Sequence, residues 1–112
     1  MKKIEYKKLN KAFKKKWLKA LRSGEFRQTR ESLKGPIGYC CLGVAASLLS
    51  KWRKDEYRND KCEAATSNGS FLRPIYRNKI GLSKEAQEKL VALNDTSKKN
   101  FKQIADFIEE NL

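Results

Sequence analysis

The chain has 112 residues, about the commonest length of a single domain, which excludes two independent cores. With 39% hydrophobic residues, including two Trp, four Tyr and five Phe, it holds enough apolar material for one core and is set apart from disordered segments of similar charge. Twenty-six Lys and Arg against thirteen Asp and Glu give a formal charge of +13, beyond the magnitude of roughly 2 to 8 that keeps a small domain soluble, and the absence of His excludes Ser-His-Asp and Cys-His catalysis.

From Tyr6 onward, Leu9, Phe13, Trp17, Ala20 and Leu21 recur at three- and four-residue intervals, with Lys7, Lys8, Lys11, Lys14, Lys15, Lys16 and Lys19 between them. This spacing predicts an amphipathic first helix, with Asn10 as the cap of an inner start and Gly24 ending it at about Ser23. Glu25 to Lys34 lacks a helical stripe, and Gly35-Pro36 precedes Ile37 to Cys40, so a short irregular β-hairpin is expected there. Cys41 to Trp52 is apolar nearly all round and reads as a central buried helix. Lys54 to Ser70 is polar and turn-rich and reads as a long surface loop. Pro74 at a first helical position and Gly81 as a stop predict a short helix, and Ser83 caps the next one. That helix carries Ala86, Leu90, Val91 and Leu93 and ends in a polar loop at Asn94-Asp95-Thr96-Ser97. Asn100 and Gln103 have capping-box spacing ahead of a last helix through Ile104, Ala105, Ile108 and Leu112. The expected fold is mainly α (α+β): one compact domain over residues 1–112, of four to five helices with a small β-hairpin after the first.

Charge is graded along the chain: residues 1–34 carry +10, residues 35–83 carry +4 and residues 84–112 carry −1. The basic face is therefore built mainly by the N-terminal third, and its expected partner is an anion. Catalytic groups are sparse. Asp55, Glu56, Asp60 and Glu63 alternate with Arg53, Lys54, Arg58 and Lys61, the pattern of a solvated loop. Cys40, Cys41 and Cys62 form neither an even disulfide set nor, without His, a zinc-ligand spacing. Cys40 and Cys41 sit where a helix begins, yet their apolar surroundings read as core filling. No enzyme, metal or cofactor is expected. The longest apolar run is too short to span a bilayer and no signal peptide is evident, so a cytoplasmic protein with no membrane partner is expected.

Anion recognition uses Arg forks, backbone amides at helix starts and flat aromatic faces. Arg22, Arg27, Gln28, Arg30 and Lys34 follow the first helix, where Arg replaces Lys. Asn94, Asp95 and Thr96 place amide, carboxylate and hydroxyl groups beside the last helix, and Tyr39 is a candidate stacking ring. These nine residues are the candidate ligand site.

Trp17 to Gly24, the later Gln28, Tyr39-Cys40-Cys41-Leu42-Gly43-Val44, Leu93-Asn94-Asp95 and Phe101 to Ile108 together resemble, over most of the chain, a set of small phage-encoded proteins with a Cys-Cys-Leu-Gly-Val signature. The resemblance implies a viral origin. By analogy with small phage proteins of similar size and charge, it suggests an anti-defence sponge that sequesters a cyclic oligonucleotide signal, in a pocket that a two-fold homo-oligomer would suit. The alternatives are a DNA- or RNA-binding module whose first-helix Lys face tracks phosphates, and an inhibitor docking on an acidic host protein.

Overall fold

The computed structural model describes residues 5–29, 34–35, 38–49 and 71–112. These residues form a mostly helical domain of five α-helices. Helix α1 spans Lys11–Ser23, α2 Cys41–Leu49, α3 Pro74–Ile80, α4 Lys84–Val91 and α5 Phe101–Asn111. The expected loop of Lys54 to Ser70, Trp52 at the expected end of α2, and Arg30 lie outside the described residues.

The capping chemistry sets the helix ends. Asn10 accepts a 3.0 Å hydrogen bond from the Phe13 amide, so the inner start is the one used, and Gly24 ends α1 at φ 80°. Pro74 opens α3, and Gly81 at φ 76° closes it. Ser83 accepts from the Ala86 amide at 3.1 Å to start α4. Asn100 and Gln103 complete a reciprocal capping box before α5.

Two expectations need correction. The short irregular β-hairpin expected over Glu25 to Lys34 and Ile37 to Cys40 is present only in part among the described residues. Among the described residues, antiparallel pairing is confined to two-residue strands, β1 (Lys34–Gly35) and β2 (Gly38–Tyr39). Gln28, assigned to the first arm, instead bridges Tyr39 in parallel, with the Tyr39 amide donating to the Arg27 carbonyl and the Thr29 amide to the Tyr39 carbonyl, both at 2.7 Å. The second correction concerns the polar loop at Asn94. Helix α4 runs straight into a wide π-helical turn, Ala92–Thr96, in which the Ser97 amide donates to the Ala92 carbonyl five residues back. The extra residue in the turn lets the polar Asn94 side chain face inward, where it is 1% exposed.

The core joins the two ends of the chain. Trp17 is fully buried with Leu42, Leu90, Ile104 and Ile108, and its indole Nε1 donates to the Cys41 carbonyl at 3.0 Å. Helix α5 packs antiparallel along α1: the Leu9 amide donates to the Leu112 carbonyl, while Arg22 meets Asp106. Helix α2 packs against both α1 and α4. At the other edge, buried Gln87 accepts from the Leu72 amide at 2.9 Å, which ties α4 to the residues before α3.

Candidate polyanion-binding surface

Four of the nine candidate residues come together. The Gln28 Nε2 donates to the Asn94 Oδ1 at 2.9 Å and to the Lys99 carbonyl at 2.8 Å. The Asn94 Nδ2 donates to the Thr29 carbonyl at 2.9 Å and to the Asp95 Oδ1 at 2.7 Å. Tyr39 closes the group from the backbone side, with its ring edge-on to Phe26 at 5.1 Å. The amide donors of Gln28 and Asn94 thus all point at protein acceptors. This is the arrangement by which a buried polar group is satisfied rather than one that holds donors ready for a ligand.

Arg27 and Thr96 are exposed. Lys34 contributes backbone to β1, and its side chain, like Arg30, is outside the described residues. Arg22 turns to α5, where its Nη2 donates at 2.9 Å both to the Asp106 Oδ1 and to the Glu109 Oε2. The hydrogen bonds it donates to Glu109, then to Asp106, raise the guanidinium pKa and hold it cationic. No sequence pattern links Arg22 to these carboxylates, which lie 84 and 87 residues further on.

The two described thiols, Cys40 and Cys41, are buried. Burial pushes Cys40 up to about 12, only partly offset by hydrogen bonds from the Gly43 and Leu42 amides. Cys41 is pushed well above the ordinary thiol range by burial and then by Cys40. Both stay protonated at neutral pH, as a core position requires. Among the described residues no group of three or more acidic or Cys side chains is placed to hold a metal ion, and no helix is long and apolar enough to cross a membrane.

The outer side of α1 is strongly cationic. From Tyr6 to Gly24 the chain has eight Lys and Arg and no acidic residue. Two of these lysines serve the α5 C-terminus: Lys8 Nζ donates to the Asn111 carbonyl at 3.2 Å, and Lys14 Nζ to the Glu109 carbonyl at 3.1 Å. Cations are favoured there because the last carbonyls of a helix lack intrahelical partners. Lys11, Lys15 and Lys19 are different. They are exposed and follow one another four residues apart, forming a row with steps of about 6 Å along the axis. Among the described residues no carboxylate lies within ion-pairing distance of any of them, nor of exposed Lys16. The row opposes helix stability twice: like charges four apart repel, and the first turn of α1, where acids are favoured, holds none.

Residues 9–73 match the model of a family described as a domain of unknown function, DUF8296. The match spans more than half of the chain, and the protein belongs to that family. No curated protein and no solved structure matches it.

Proposed function

We propose that this protein is a non-enzymatic, sequence-independent binder of nucleic acid, gripping phosphates with the Lys11, Lys15 and Lys19 row of α1. The observation that carries the reading is that row: three exposed ammonium groups at regular spacing on a helix, with no described carboxylate against them. Lysine suits this task because a point charge on a flexible stem follows a phosphate backbone without reading base edges. The repulsion within the row, which would otherwise only weaken α1, is relieved when phosphates lie along it. A small cyclic nucleotide held at Gln28 and Asn94 has less support, because the side-chain amides there are already bonded to one another and to carbonyls.

The test is fluorescence anisotropy with a 20-base-pair duplex, a single strand of equal length and a cyclic dinucleotide, each across a KCl series. Three lysine–phosphate contacts predict a log–log salt slope of about −2.7 for the duplex, at roughly −0.9 per phosphate. Tight dinucleotide binding with a shallow slope would favour the sequestering pocket instead. Failure of every nucleic acid to bind at low salt would leave an acidic protein partner as the reading to pursue.

A further inference from the structure

Arg22 lies where the lysine row would continue. It comes seven residues after Lys15 and three after Lys19, on the exposed side of α1, and a guanidinium is the best phosphate fork among side chains. Yet both of its short contacts are to carboxylates of α5, so the three side chains together carry a charge of −1. A phosphate backbone following the row from Lys11 toward Lys19 therefore meets a reversal of local charge at Arg22.

We infer that Asp106 and Glu109 set the end of the phosphate-binding strip and hold down its affinity by occupying Arg22. This rests on the reading of α1 as a nucleic-acid surface. The pair is well placed for such a role. Its carboxylate side chains are 69% and 58% exposed, so they face the solvent through which a phosphate would approach rather than being shut into the core. Neither is needed to satisfy a buried group: Arg22 itself is exposed, and the α1–α5 interface is held by Trp17, Leu21, Ile104, Ala105 and Ile108. The two acids act on the binding surface through another residue, as positioning groups.

The full-length protein tests this with the 20-base-pair duplex and the KCl series. Asp106→Asn combined with Glu109→Gln turns the local charge from −1 to +1 and releases the guanidinium. The expected result is a slope steeper by about 0.9 and binding tighter on the order of tenfold at 50 mM KCl, as one added phosphate contact predicts. Arg22→Gln added to that pair should abolish the gain in slope. Glu85→Gln with Glu88→Gln on α4 changes net charge equally and should leave the slope as it is. If the carboxylate variant gains no slope, or the α4 control gains as much, the inference is overturned.

Should the carboxylate variant fail to fold by circular dichroism, single substitutions in the wild-type chain decide. Arg22→Gln should leave the slope unchanged, whereas Lys15→Gln should lower it by about 0.9. An equal loss from Arg22→Gln would show that Arg22 already contacts phosphate and would sink the inference. A wild-type protein without salt-dependent binding overturns the proposed function itself, while normal wild-type binding with unresponsive Arg22 and α5 variants overturns only this extension of it.

Discussion

The Nδ2 of Asn94 donates a 2.9 Å hydrogen bond to the carbonyl of Thr29, 65 residues earlier in the chain. That bond, with the one from Gln28 to the same side chain, clasps the segment after α1 to the π-helical turn after α4. Two polar segments that look like ligand-reading elements are hydrogen-bonded to each other.

Asn94→Ala should therefore act on stability before it acts on any ligand. It leaves the Thr29 carbonyl and one Gln28 donor without their partner in a part-buried setting, at a cost of up to about 1–3 kcal/mol for each group that water cannot reach. Urea denaturation is expected to show a lower midpoint with an unchanged m-value, and Gln28→Ala a smaller loss, since Gln28 is only half-buried. A wild-type midpoint in Asn94→Ala would refute the clasp.

Lys15→Glu should move stability and binding in opposite directions. Glu at this position sits four residues before Lys19 and four after Lys11, so two like-charge pairs become attractive ones, worth about 1–2 kcal/mol in total. Duplex affinity should fall at the same time, with a salt slope shallower by about 0.9 or more. Thermal melts and anisotropy on one preparation read both. The wild-type melting temperature should correspondingly rise between 20 and 300 mM KCl as screening relieves the row.

Cys40 and Cys41 supply a pH dependence whose sign is determined. A thiol that titrates at 9.0 when unfolded and near 12 when folded leaves stability flat below pH 9, because both states are then protonated. As pH rises from 9 toward 12 the unfolded state ionises first, and stability falls. Urea midpoints measured at pH 7, 8 and 10.5 should be nearly level between the first two and lower at the third. In a Cys62→Ser variant, a thiol-reactive dye at pH 8 should react only as fast as the protein unfolds; burst labelling of the native protein would contradict the burial of both thiols.

Gly24 and Gly81 both end helices at positive φ, but only one is also crowded. A Cβ at Gly24 meets open space, so Gly24→Ala should cost about 1 kcal/mol from backbone strain alone. A Cβ at Gly81 would stand 3.2 Å from the Lys8 carbonyl oxygen and 3.3 Å from the Asn10 amide nitrogen, where the Asn10 amide donates to the Ile80 carbonyl. Gly81→Ala should cost clearly more, about 2–3 kcal/mol, by disturbing that junction as well. Equal losses in the two variants would mean that the α1 entry yields freely.

What could be read from the sequence is whatever neighbours in the chain decide. Apolar spacing marks the buried stripe of α1 through Trp17 and Leu21 and that of α5 through Ile104 and Ile108, and Asn10, Ser83, Asn100, Gly24 and Gly81 set helix ends within four residues of themselves. The cationic side of α1 is legible for the same reason, since a helix brings Lys11, Lys15 and Lys19 into line with no help from the rest of the fold. Tertiary structure decided the remainder: that Gln28 and Asn94 face each other, that Gln28 pairs in parallel with Tyr39, and that Arg22 ends between Asp106 and Glu109. A polar side chain has the same local signature whether it will meet solvent, a ligand or a partner 60 to 90 residues away. Only the packing of α1 against α5 and of α2 against α4 brings those distant atoms within hydrogen-bonding reach.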